Sequence, residues 1–138
     1  MREEGFEGIY ILETLNAIQK EHVLDNSEGD VVFEPIYTRC HEVKKNDLFS
    51  KIKRYLNYHY GIGKVAKLNT KDIYRLIEER KYSAQRKTYI GTFPDWDNTA
   101  RKGNRGIVFT NTSPEIFKKH LGKLFRRVDV EEFIFINA

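Results

Sequence analysis

The segment Phe93-Pro-Asp-Trp-Asp-Asn-Thr-Ala-Arg101 gathers two carboxylates, an indole, an amide and a guanidinium into one short stretch. Carboxylates and amides grip hydroxyls through paired hydrogen bonds, an aromatic face stacks on the C–H side of a sugar ring, and a guanidinium takes an anionic substituent. The mixture therefore suits a polar, ring-shaped ligand. Cleavage of a glycosidic bond needs two carboxyl groups flanking it, one of them a proton donor. Glu13, Glu34, Asp95 and Asp97 stand where strands are expected to end and are the candidates. Each also has a plainer use. An Asp-Trp-Asp-Asn run makes a capped turn when the Asp and Asn side chains bind the backbone and Trp96 closes the core, and Glu34 before Pro35 can equally pair with a lysine.

The other reactive side chains are sparse. His22, His41, His59 and His120 lack the short paired spacings of a zinc site, so no metal is expected. Cys40 stands alone and cannot close an internal disulfide, in keeping with a reducing compartment. No cofactor motif is present, and no cofactor is expected. The 24 basic residues are offset by 20 acidic ones spread along the chain, for a net charge of +4. That mild basicity describes a solvated surface and permits contact with anionic lipid headgroups. A nucleic-acid site would use Arg101, Lys102 and Arg105 with nearby aromatic rings, but the even scatter of acids argues against it. With neither a long apolar run nor a basic, apolar leader, the expected location is the cytoplasm, at the inner face of a membrane if the substrate is lipid-linked.

Positioning such residues is the work of the surrounding elements. Gly8 to Leu15 and Asp30 to Pro35 are apolar and β-branched and predict strands, with a turn at Asn26 to Asp30 and a weak helical signal over Ala17 to Leu24. From Asn46 the period changes: Leu48, Ile52, Tyr55, Leu56 and His59 share one helical face, with Asn46 as N-cap and Gly61 as stop. Thr70 caps a second helix carrying Ile73, Leu76 and Ile77, which frays over Lys81 to Gln85. Thr88 to Phe93 is a strand leading into the Asp/Trp/Asn loop, and Gly106 to Thr110 is a short extended piece. Ser113-Pro-Glu115 starts a helix whose stripe is Phe117, Leu121, Leu124, Phe125 and Val128, and Glu132 to Ala138 closes the chain as a strand. Uniformly apolar strands alternating with helices are the pattern of parallel βα units covered on both faces. The 138 residues hold about half of the roughly 250 that a (β/α)8 barrel takes.

Phe93 to Arg101, Thr112-Ser-Pro-Glu115 with the helix after it, and Glu131-Glu-Phe-Ile-Phe-Ile-Asn-Ala138 together resemble the C-terminal half of the WbsX family. These are bacterial proteins of lipopolysaccharide and O-antigen polysaccharide loci, similar to glycoside hydrolase family 99 and often labelled glycosyltransferases. Val31 to Pro35 resembles the preceding barrel strand; the likeness is close from Tyr89 to Ala138 and weaker before it. The resemblance implies an α/β fold that is the C-terminal half of a (β/α)8 TIM-type barrel, with parallel strands and intervening helices. It implies a sugar site at the carboxyl ends of the strands, bound by Glu34, Trp96, Asp97, Asn98, Arg101 and Asn137. In the family the last strand runs into a Trp-Asn-Glu-Trp-Ala-Glu-Gly type motif whose glutamates match the catalytic pair of the related hydrolases, and Ala138 falls just before it. No catalytic residue is therefore assigned, and residues 1–138 are expected to be one partial domain, inactive alone. Its partner would be carbohydrate, as polysaccharide or lipid-linked sugar, and it would self-associate or pair with the missing half. The alternative is a non-enzymatic carbohydrate-binding or assembly module.

Overall fold

The computed structural model describes residues 12–15, 30–33, 47–80, 88–128 and 133–137. The expected turn at 26–30 up to its last residue, the helical signal at 17–24 and the frayed segment at 81–85 lie outside them. Strands form where β-branched and aromatic side chains concentrate: β1 Leu12–Leu15, β2 Asp30–Phe33, β4 Thr88–Thr92, β5 Ile107–Thr110 and β6 Ile134–Ile136. A further strand, β3 Ala66–Asn69, has no counterpart in the sequence reading. Its four residues include Lys67 and are too short to show a period, and pairing with β5 over the full length of both is what makes them a strand.

Every ladder between these strands is parallel, as expected for a chain that returns through helices. The order is β1-β2-β4-β6 in one sheet, while β3 and β5 form a separate pair. The protein is thus a mixed α/β structure with two small parallel sheets.

Among the described residues four helices connect them. Helix α1, Leu48–Tyr60, begins at Asp47, whose carboxylate accepts the Ser50 N–H at 2.9 Å, and stops at Gly61, which takes the left-handed φ of 66° that glycine tolerates best. The cap thus falls one residue after Asn46. Helix α2, Thr70–Glu79, is likewise capped one residue away from expectation: Asn69 accepts the Lys71 N–H at 3.1 Å, and Thr70 is a fully buried first-turn residue. Helix α3, Thr99–Lys102, is a single turn that runs into a 3-10 turn at Gly103–Arg105. Helix α4, Pro114–Leu124, starts as its sequence predicts, with the Ser113 hydroxyl accepting the Ile116 N–H and Pro114 at the first position.

Among the described residues an apolar core lies between the sheets and two of these helices. Ile90 and Phe93 enter it from β4 and the residue after it, Leu68 from β3, Phe109 from β5, Ile73, Tyr74 and Ile77 from α2, and Leu124 from α4. Phe93 is the link between sheets, its ring 4.8 Å from Phe109 and 5.5 Å from Tyr74. The stripe of α4 departs from expectation at two places. Phe125 is 63% exposed, and His120 takes a core position at 2%. Arg127, beyond the end of α4, turns back to donate to the carbonyls of Ile77, Glu78 and Arg80, so a cation satisfies the last carbonyls of α2.

Candidate functional site at the carboxyl end of β4

β4 is an inner strand, flanked by β2 and β6, so its carboxyl end opens between two neighbours. The backbone leaves it under tight control. The Tyr74 hydroxyl lies 2.9 Å from the Phe93 carbonyl and 3.0 Å from that of Pro94, and its proton is shared between them. Burial, and after it the charge of Asp95, pushes the Tyr74 phenol well above its ordinary value, so it remains a donor at any physiological pH. On the other side the Asn137 N–H donates to the Thr92 carbonyl at 2.9 Å. The ladder therefore continues one residue past β6, and Asn137 stands at the same rim as Phe93 and Pro94.

The segment 94–98 is not an open loop. It folds back along β5 through an antiparallel bridge between Asp97 and Val108, and the Phe109 N–H donates to the Trp96 carbonyl at 2.9 Å. Asn98 completes the attachment: its N–H donates to the Ile107 carbonyl, and its Oδ1 accepts the Ile107 N–H at 2.7 Å. Asp95 Oδ1 accepts the Trp96 N–H at 2.7 Å, while its Oδ2 lies 3.5 Å from the Thr112 hydroxyl. Asp97 Oδ1 accepts the Thr99 N–H at 2.7 Å and opens α3. The Thr99 side chain and then its N–H hold the Asp97 carboxyl below the usual carboxylate range, so Asp97 is an anion near neutrality and not a proton donor.

The expected sugar-binding residues thus divide. Trp96 packs half-buried against the core, and its indole Nε1 is buried with no hydrogen-bond partner among the described residues. Asp97 and Asn98 spend one oxygen each on the backbone, as the capped-turn reading holds. Arg101 is exposed, and Asn137 is half-buried at the rim. Glu34 lies outside the described residues, and of Glu13 only its backbone pairing with Val31 is described.

Beneath the rim lies a polar line absent from the sequence reading. Thr92 Oγ1 is 2.8 Å from His120 Nε2, His120 Nδ1 is 2.8 Å from Glu78 Oε1, and Lys123 Nζ donates to Glu78 Oε2 at 2.7 Å. The His120 ring also stacks on Tyr74, with centroids 3.9 Å apart and planes 5° from parallel. Desolvation lowers the His120 pKa and outweighs the opposing pull of Glu78. The imidazole is therefore neutral, donating from Nδ1 to Glu78 and accepting at Nε2 from Thr92. For Glu78 the largest influence is burial, which raises the pKa. The hydrogen bonds from Lys123 and His120, with the charge of Lys123, together overcome it and hold the carboxyl below its ordinary value. A hydroxyl, an imidazole and a carboxylate in line have the connectivity of a nucleophilic triad. Thr92 is wholly buried, however, so a substrate has no access to it, and the line positions the end of β4. The legible signal was a histidine spaced three residues after Phe117 and four before Leu124, on the apolar face of α4.

A separate cleft of about 910 Å3 runs along β3 beneath α1 and is lined by Lys53, Arg54, Lys64, Lys67 and Arg105, with Asp72 its one carboxylate. It does not include the residues of the β4 rim.

No curated protein and no solved structure matches the chain. The model of one protein family, described as glycosyltransferase WbsX, does match, and it does so over residues 1–138. A match that runs through the whole of residues 1–138 places this chain in the family described as glycosyltransferase WbsX.

Proposed function

We propose that this chain holds the carbohydrate in a WbsX-type protein that acts on glycosidic bonds of bacterial cell-surface polysaccharide, as a glycosyltransferase or a family 99-like glycoside hydrolase. The observation that carries the reading is the convergence of Asn137 with the 94–98 segment at one rim, through the bond from the Asn137 N–H to the Thr92 carbonyl. In this reading β1, β2, β4 and β6 belong to a (β/α)8-type barrel; their parallel pairing in chain order supports it. Arg101 and Asn137 contact sugar hydroxyls or an anionic substituent, Trp96 forms the wall behind them, Asp97 and Asn98 shape the segment, and Glu34 lines the cleft. The substrate is polysaccharide or lipid-linked sugar.

Isothermal calorimetry with oligosaccharides released from lipopolysaccharide tests this. Saturable binding is expected, weakened about tenfold by Arg101→Ala or Asn137→Ala, the loss of one hydrogen bond to a charged or well-oriented group. Neither change should alter the unfolding temperature, since both side chains reach the surface. An absence of saturable binding, or equal affinity in both variants, refutes the assignment.

The state of the carboxylates favours a second reading, a recognition module without turnover. Asp95 and Asp97 both accept backbone N–H groups, and Asp97 is held ionised, so among the described residues Asp97 is not an acid ready to protonate a leaving oxygen. Sugar release or transfer by the purified chain that disappears in Asp95→Asn would place chemistry here and remove this alternative.

A further inference from the structure

Helix α1 is mounted with its apolar face outward. None of its residues is buried; the half-buried ones are Ser50, Arg54 and Asn57, all polar, and Asn57 fixes the helix by donating from Nδ2 to the Asn104 carbonyl at 2.9 Å. The opposite face carries Leu48, Phe49, Ile52 and Tyr55, exposed at 73%, 77%, 51% and 57%. An amphipathic helix normally buries that stripe in its own core. Here the stripe is exposed, and among the described residues none covers it; Ile62 prolongs it past the C-cap at 62% exposure.

The charges around it choose the partner. Between Asp47 and Asp72 the sequence contains Lys51, Lys53, Arg54, Lys64, Lys67 and Lys71 and no acidic residue. In helical projection Lys51 and Lys53 fall on the two flanks of the apolar stripe, where lysine stems lie along apolar surface while the ammonium groups reach outward. A second copy of this face would set cation against cation. An anionic, planar and apolar partner satisfies all three features, and tyrosines such as Tyr55 and Tyr58 suit the boundary between headgroups and acyl chains. No described helix is long and apolar enough to cross a bilayer, so contact would be along the surface.

We propose that α1 is a membrane-surface helix that seats its Leu48, Phe49, Ile52 and Tyr55 face in an anionic lipid leaflet, with Lys51 and Lys53 on the phosphates. Apolar insertion and electrostatic attraction are two weak signals that together give stable but reversible attachment. The inference is independent of the sugar reading, because it requires no ligand at the β4 rim.

Co-sedimentation of the full chain with vesicles tests it. Binding is expected to vesicles of phosphatidylcholine with phosphatidylglycerol and not to phosphatidylcholine alone, and it should weaken as salt rises. Phe49→Glu with Ile52→Glu should abolish it. Lys51→Glu and Lys53→Glu should each weaken it by at least about fivefold, the factor for losing one cation at such a surface. Circular dichroism of the variants should match the parent, since the altered side chains already face solvent. Equal binding to uncharged vesicles, no binding to anionic ones, or full binding by the Phe49/Ile52 variant overturns the proposal. So does a dimer in light scattering that dissociates in that variant, which would make a second copy the occupant.

Discussion

A neutral imidazole is what the line from Thr92 to Glu78 requires, since only that form accepts from the threonine while donating to the carboxylate. His120→Ala would leave a cavity, the buried Thr92 hydroxyl without its partner and the half-buried Glu78 with Lys123 alone, and we expect a loss of about 2–4 kcal/mol in urea unfolding. The acid dependence has a definite sign. The folded pKa of His120 is lowered from 6.5, so below that value the unfolded chain takes a proton that the folded one resists. Stability is therefore full above that pH and declines as pH falls towards the folded value. Glu78, lowered from 4.5, adds a loss of the same sign in more acid solution. Urea midpoints measured at about pH 7.5 and 5.5 should differ in the parent and converge in His120→Gln, which carries no titrating ring. The sequence exposed this histidine only as a polar residue at an apolar spacing. Its partners, 42 and 28 residues away, are brought to it by the packing of α2 and β4 against α4.

Among the elements, those with local signals were the legible ones. Ser113 with Pro114, the Gly61 stop and the run Thr88 to Thr92 all do what their residue types predict, because caps and buried strands draw on near neighbours. β3 was not legible, since its pairing with β5 is made across some forty residues of chain. The direction in which α1 faces was hidden for a different reason: periodicity reveals a stripe but not which side of it meets the protein. The turn joining α3 to β5 depends on the absence of a side chain. A Cβ on Gly106 would stand 2.9 Å from the Thr99 Cα and 3.0 Å from the Gly103 carbonyl oxygen, and neither backbone atom can swing away. Gly106→Ala should cost about 1–3 kcal/mol by overpacking. It should also raise amide exchange at Ile107, whose N–H is held by Asn98, whereas retained protection there would show that the turn absorbs a methyl group.

For the whole molecule the sequence conveyed the class of architecture but not its division. Parallel strands linked by helices follow from apolar runs alternating with 3.6-residue periods, and all the ladders among the described residues are parallel. That β3 and β5 separate from the other four strands is a consequence of packing: Leu68, Phe109 and Phe93 meet in one core from two sheets. Both sheets should therefore melt together. Phe93→Ala removes a fully buried ring that joins them and should lower stability by about 3–5 kcal/mol. Calorimetry of the parent should give one transition; two resolved transitions would mean that the sheets fold separately.

Trp96 is the chain's only tryptophan, and it sits half-buried in the segment that folds back on β5, with its indole nitrogen shut away from any described acceptor. Light absorbed selectively by indole is thus emitted from a single address beside the β4 rim. Nature has in effect wired a lamp into the segment that folds back on β5: its colour reads the polarity around that one ring, and its lifetime reads how firmly the segment is held.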